Sequence, residues 1–259
     1  MKRNHFARES TIESLEALEK LLFELASESR LGILYALQEE DLRMLEIARK
    51  LELTDTETSR QLQRLSTARL IQKQPNGQYG LTMYARLILD ISSPLNFISK
   101  FNEYFFEHDA SVLPCEFRAR LGELSHVRLI TGVETLNWIA EMFKRAEKKI
   151  DVTVVGIEAT LNIMRQRIQE GLKVRWLMDE SFLPRAKSIL SSDKKLPEMR
   201  SVPRVRGGIG VTDKEAILTF RRNDGTMSYE AFVGEDPSFL KWAEDWFTYR
   251  WEKAKPWHP

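Results

Sequence analysis

Apolar residues recur at helical spacing from the start of the chain. Ile12, Leu15, Leu18, Leu22 and Leu25 fall on one face of residues 11–26 with acids opposite, which predicts an amphipathic helix. Ser27 is placed to cap a second helix over ESRLGILYALQE, where Leu31, Leu34 and Tyr35 share a face. A short third helix is expected at about 42–51, carried by Leu42, Leu45, Ile47, Ala48 and Leu51. The connection ELTD leads into TDTETSRQLQRLSTARLI, residues 54–71, which continues without glycine or proline. Behind it, IQKQ and QYGLT flank PNG, and Asn-Gly supplies the positive backbone angles of a tight hairpin. Three helices, a short turn and a hairpin directly after the last helix make a winged helix-turn-helix.

Residues 82–108 return to a three-four spacing, with Tyr84, Leu87, Ile91, Ile98, Phe101 and Phe105 on one stripe. Pro94 should kink or split that segment. Two readings stand for the stripe: packing against the hairpin, or a helix seam between two protomers, the one we favour. From about residue 126 strands alternate with helices. HVRLIT, IDVTVVG and KVRWLMD read as strands separated by the helical stretches VETLNWIAEMFKRAEKK and ATLNIMRQRIQEG. Further strands are expected at 201–206, GIGVTD, EAILTF and YEAFVG, and a last helix from Pro237 to about Glu252. The fold class is therefore α+β in two domains. A flexible N-terminus at 1–10 precedes a winged helix-turn-helix over 11–82. A linker or dimerisation helix over 83–109 follows, then an α/β effector-sensing domain with a mixed sheet over 110–259.

Composition narrows this picture. At 259 residues the chain can hold more than one core, and no apolar run reaches the length of a membrane span. MKRNHFARES has no apolar stretch behind its basic residues, so it does not read as a signal peptide, and a cytoplasmic protein is expected. One cysteine, Cys115, excludes an internal disulfide framework and a Cys-cluster zinc site, and we read it as packing or incidental. Net charge is +1, which points to no partner, but its distribution does. No Asp or Glu occurs from Thr58 to Leu89, while Arg60, Arg64, Arg69, Lys73 and Arg86 lie inside that window. A local positive face on a balanced chain suits double-stranded DNA.

The helix after ELTD carries matching chemistry. Thr54 and Glu57 have the spacing of a capping box. With Leu62 inward, Thr58, Leu65 and the stem of Arg69 share its side, and Thr56, Glu57, Arg60, Gln63 and Arg64 lie opposite. Arg can donate twice to a guanine edge, Gln can pair with adenine, and Glu can accept from cytosine. At the hairpin, Lys73, Asn76 and Gln78 would meet phosphate or the minor groove.

RLGILYALQE, TSRQLQRLSTARLIQK and YGLT resemble archaeal ArsR-like winged-helix regulators. YFFEHDASVLPCEFRARLGEL, VTDKEAILTF and DPSFLKWAEDWFTYRW resemble the archaeal regulators known as methanogenesis regulatory proteins, with their characteristic middle domain. The resemblance implies a DNA-binding transcriptional regulator, commonly dimeric, whose second domain senses an effector. It also implies that the α/β half is similar to the phospholipase D-like sensor domain of archaeal sugar-responsive regulators. Two departures limit the transfer. MLEIARKL holds no thiolate for ArsR-type metal sensing. None of His5, His108, His126 and His258 is followed two residues on by Lys, which excludes the phospholipase D reaction, so no catalytic, metal or cofactor site is expected.

The second domain reads as a sensor. Ligands of open α/β sheets bind beyond the carboxyl ends of strands, which nominates Thr131, Gly156, Glu158, Asp179, Arg204 and Arg206. Arg185, Lys187, Lys194, Lys195, Arg200, Arg204 and Arg206 face only Asp193 and Glu198 in their segment, a balance that suits an anionic metabolite or phosphate. His126 reads as an ordinary strand-edge residue. The aromatic terminus, with Trp242, Trp246, Phe247, Tyr249 and Trp251, reads as core or interface. The expected mechanism is a homodimer reading a pseudo-palindromic site and switched by a small molecule. The rival is an architectural or general transcription DNA-binding protein without an effector.

Overall fold

The computed structural model describes residues 15–154, 158–190 and 195–259. The expected flexible stretch 1–10, Ile12, Gly156 and Lys194 lie outside them. The chain forms two compact units that divide between Ile91 and Ser92.

The first unit begins with a helix, α1, over residues 15–25. Helices α2 (Glu28–Glu39), α3 (Met44–Lys50) and α4 (Asp55–Thr67) follow, then a hairpin of β1 (Ile71–Lys73) and β2 (Tyr79–Leu81). The hairpin register pairs Ile71 with Leu81 and Lys73 with Tyr79. Ser27 caps α2 by accepting from the Arg30 amide, as its position predicts. The core gathers Ile33, Leu34 and Leu37 of α2, Ile47 of α3, Leu62 and Leu65 of α4, and Leu70, Ile71 and Leu81 around the hairpin. Two expectations shift here. On α2 the inward face is Ile33, Leu34, Ala36 and Leu37, and Tyr35 is exposed. Leu42 starts no helix: its backbone pairs with Tyr79 as a third edge of the hairpin, so α3 opens two residues later and Leu45 points outward.

Helix α4 stops because Arg69 adopts φ +60°, letting the Leu70 amide donate to the Leu65 carbonyl and the Arg69 amide to Ser66. Arg69 is thus an exposed turn residue rather than part of the inward face. In the hairpin loop only Gly77 takes a positive φ, +85°, and Asn76 does not.

Helix α5 (Met83–Lys100) runs without a break past Pro94, so the proline does not split it. The segment divides later, at Phe101, into α6 (Asn102–Glu107). Ala85, Ile88 and Leu89 pack into the first core, and Phe97 into the second. Phe101 and Phe105, expected on an intermolecular seam, instead pack on Phe97 and Phe232 within the second unit.

The second unit is built on one mixed sheet of eight strands. Its elements are α7 (Cys115–Arg118), β3 (Arg128–Ile130), α8 (Val133–Arg145), β4 (Lys149–Val154), α9 (Glu158–Gln169), β5 (Lys173–Asp179), α10 (Leu183–Leu190) and β6 (Glu198–Val202). There follow β7 (Gly207–Thr212), β8 (Ala216–Phe220), β9 (Ala231–Gly234), α11 (Pro237–Lys253) and β10 (Lys255–Pro256). The spatial order is β10-β6-β5-β4-β7-β8-β9-β3, with β4, β5 and β6 mutually parallel. Helices α8, α9 and α10 bury Met142, Phe143, Leu161, Met164 and Leu190 on one face of the sheet. Helix α11 buries Trp242, Trp246 and Phe247 on the other, which makes the aromatic terminus core. The strand expected at 201–206 ends at Val202, because Pro203 has no amide to continue a ladder and Arg204 to Arg206 form a loop. Cys115 is exposed at the start of α7, so it is not a packing residue.

Candidate nucleic-acid interface and sensor edge

The Thr54 hydroxyl caps α4 by accepting from the Glu57 amide at 3.2 Å. Only half of the expected capping box forms. The Glu57 carboxylate turns outward, accepting from Arg60 at 2.6 Å and from the Gln61 side chain. Those two donors, Gln61 first, hold the Glu57 carboxyl below the usual carboxylate range.

Thr58, Gln61, Leu62 and Leu65 point inward. At 100° per residue the opposite face is then Thr56, Ser59, Arg60, Gln63 and Thr67, all exposed. The structure therefore brings Thr56, Arg60 and Gln63 together. Ser59 and Thr67, which charge and length alone did not flag, complete the face. Glu57 and Arg64 lie on its flank, and Arg64 is occupied: its Nε and Nη2 donate to the Glu24 carboxylate of α1 at 3.2 and 2.8 Å, and its guanidinium lies over the Phe23 ring. Beside that pair sits Arg30, which is buried. It donates to the main-chain carbonyls of Glu24 (2.5 Å) and Phe23 (2.7 Å) and to Gln61 Oε1 (3.2 Å). A guanidinium over the last carbonyls of α1 satisfies groups a helix end leaves open.

The hairpin residues hold its tip. The Gln78 amide donates to Asn76 Oδ1 at 3.0 Å, Asn76 Nδ2 donates to Gln78 Oε1 at 2.6 Å, and Gln78 Nε2 reaches the Asp41 carbonyl at 3.0 Å. Lys73 is exposed, its ammonium 5.7 Å from the centre of the Tyr79 ring.

In the second unit, β3, β5, β6 and β8 share the direction of β4, so their carboxyl ends line one edge of the sheet. Thr131 follows β3 there and is exposed. Arg204 and Arg206 are exposed in the loop between β6 and β7 on the same edge. Asp179, at the end of β5, is a loop anchor: Ser181 donates to Oδ1 from its amide (3.0 Å) and hydroxyl (2.6 Å), and the Val205 amide donates to Oδ2 (2.8 Å). Burial works against its ionised form, yet those donors outweigh it and hold the carboxyl below its usual range. Glu158 begins α9.

The basic segment is not one cluster. Arg200 is tied to the Trp251 carbonyl at 2.9 Å with its guanidinium over that ring. Instead α11 sends Arg250 to the edge, where it donates to the Gly207 carbonyl at 2.7 Å and stacks on Trp246. Among the described residues no carboxylate pairs with Arg250, and burial lowers its pKa to about 10. An arginine in an aromatic C-terminal helix gave no sequence signal of this role.

Residues 112–253 match the model for the methanogenesis regulatory protein FilR1, middle domain, and residues 27–73 match that for the bacterial regulatory protein, arsR family. No curated protein matches. Among solved structures, TrmBL2, an archaeal chromatin protein, is 20% identical over 88% of this chain and 93% of its own, with a TM-score of 0.44. NucT from Helicobacter pylori is 13% identical over 51% of this chain and 98% of its own, TM-score 0.42. The phospholipase D family member Nuc from Salmonella typhimurium is 12% identical over 51% and 98%, TM-score 0.41.

Proposed function

The chain belongs to the family defined by the FilR1 middle domain, whose model spans more than half of it, and from that membership, joined to an ArsR-type helix-turn-helix, we propose that it is a DNA-binding transcriptional regulator and not an enzyme. The observation that carries the reading is the open face of α4, where Thr56, Ser59, Arg60, Gln63 and Thr67 stand exposed on a helix whose other side is core. Such a face enters a major groove, where arginine and glutamine read purine edges while Lys73 and the hairpin contribute affinity through the backbone.

The regulator acts as a homodimer on a pseudo-palindromic site. Support comes from α5, where Tyr84, Leu87, Ile91, Leu95 and Ile98 are exposed and Ile91 retains 75% of its surface. Their spacing of three and four residues is that of a helix-pairing stripe, and a stripe of this kind on one helix is costly to leave in water. The seam is shorter than the sequence suggests, since Phe101 and Phe105 are used elsewhere. The Leu87→Lys/Ile91→Lys variant is expected to run as a monomer in light scattering and to bind a natural upstream duplex roughly a hundredfold more weakly, because two half-site contacts no longer act together. A variant that stays dimeric would place the interface on another surface.

An anionic effector binds the carboxyl edge of the sheet beside β7, with Arg204 and Arg206 at its rim and Arg250 beneath; Thr131, after the outermost strand β3, is separated from β7 by β8 and β9. Support comes from Arg250, a part-buried guanidinium that no described carboxylate neutralises; an anion would offset that cost. The effector acts by binding one dimer arrangement better than the other. Titrating inorganic phosphate and sugar phosphates into the protein, with and without DNA, tests this. A ligand of this site must change DNA affinity, and must lose that effect in Arg250→Met.

A further inference from the structure

Helix α1 packs on its own unit through Leu21 and Leu25, and its other apolar side chains face outward. Leu15, Leu18, Leu22 and Phe23 are exposed, and a groove of about 570 Å³ separates part of α1 from α4, with Lys20 and Phe23 on one wall and Arg60, Gln63 and Thr67 on the other. What joins the two helices across the end of this groove is largely polar: the forked Glu24–Arg64 pair, with Arg30 behind it.

We propose that Glu24 is a built-in competitor for DNA, its carboxylate occupying Arg64 in the two-pronged geometry a backbone phosphate would use, so that binding DNA exchanges Glu24 for phosphate. This rests on the DNA-binding reading above. Carboxylate and phosphate are recognised by the same arginine fork, so the exchange needs no new geometry at the guanidinium. Arg64 lies one residue beyond Gln63 on the flank of the exposed face, as a side chain gripping the backbone beside a groove should. Losing Arg64 does not strand Glu24. Its Oε2 stays 3.4 Å from Arg30 Nε, and its side chain keeps 19% of its surface. Arg64 in turn is 40% exposed, which keeps the pair cheap to open. Hydrogen bonding from Arg64 holds the Glu24 carboxyl below the usual carboxylate range, so the competitor stays charged at neutral pH. The competition ties DNA affinity to the seat of α1 on its unit, which Leu21, Leu25 and Arg30 set.

The test is fluorescence anisotropy on a natural upstream duplex at several salt concentrations, using wild type, Glu24→Gln, Glu24→Asp, Arg64→Ala and Glu24→Gln/Arg64→Ala. Glu24→Gln should tighten binding by about three- to fivefold, the scale of a part-exposed ion pair. Glu24→Asp, too short to grip both nitrogens, should fall between it and wild type. Arg64→Ala should weaken binding and reduce the salt slope by about one. The double variant should match Arg64→Ala, because the gain exists only through that arginine. If Arg64→Ala binds like wild type, the pair is a structural tie and the proposal falls while the DNA reading stands. If Glu24→Gln melts with wild type yet binds no tighter, it falls equally; should Glu24→Gln unfold, Glu24→Asp decides on the same criterion. Wild type that binds no duplex at low salt removes the DNA reading, and the competitor with it.

Discussion

Replacing Asp151 with asparagine is expected to destabilise the second unit by about 3 kcal/mol or more, the cost of leaving one member of a buried ion pair without the other. Asp151 is 1% exposed on β4, directly opposite Arg175 on the parallel strand β5. Arg175 donates from Nε and Nη2 to the two carboxylate oxygens, both at 2.7 Å. Its guanidinium also lies under α11, 5.0 Å from the centre of the Phe247 ring and 5.5 Å from that of Trp251. The amide variant keeps the shape but removes the charge, so the guanidinium against the two rings loses its only bidentate partner among the described residues and keeps only the more distant Glu198 and Glu244 carboxylates, while Lys149 also loses Asp151. Asp151→Leu/Arg175→Met should recover part of the loss, since an apolar pair needs no desolvation of ions. The readout is selective: all six tryptophans lie in the second unit, so urea unfolding followed by their fluorescence reports that unit alone. A loss below about 1 kcal/mol would mean that water already shields the pair.

The second large effect concerns recognition. Arg60→Ala/Gln63→Ala should lose roughly a hundredfold or more in preference for a specific duplex, because each good base contact discriminates by about 1–3 kcal/mol. Among the described residues Arg60 is held by Glu57 alone, three residues back and at the surface, with its own side chain 67% exposed. Such a pair is weak enough for a guanine edge to displace it. Lys73→Ala should behave differently, weakening every sequence alike and lowering the salt slope by about one. Equal losses on specific and scrambled duplexes in the double variant would show α4 to be a backbone contact only.

What the sequence reveals here follows from the range of the interactions involved. Helix caps, the Leu62–Leu65 inward face and the Gly77 turn are settled within a few residues, and period and spacing show them. The alternation of strand and helix after residue 126 likewise marks a mixed sheet. The misplaced features depend on partners far along the chain. Leu42 reads as helical until Tyr79 pairs with its backbone. Phe101 and Phe105 continue a stripe that Phe232 interrupts by drawing them inward. Arg64 looks free on a helical wheel, but Glu24, forty residues earlier, holds it. Arg30, Asp151 and Arg250 gave no pattern at all, because a buried charge is visible only once its neighbours are assembled. The family resemblance, by contrast, is carried by short segments spread along the chain, and the matches at 27–73 and 112–253 bear it out.

The central claim is that the open face of α4 reads DNA sequence. It is tested most directly by measuring wild-type affinity, near physiological salt, for duplex from the upstream region of the protein's own gene and for a scrambled duplex of equal length and composition. The account predicts a clear preference for the natural duplex, with two protomers bound per site. Equal affinity for both, falling steeply with salt, would contradict it and favour a sequence-independent architectural role.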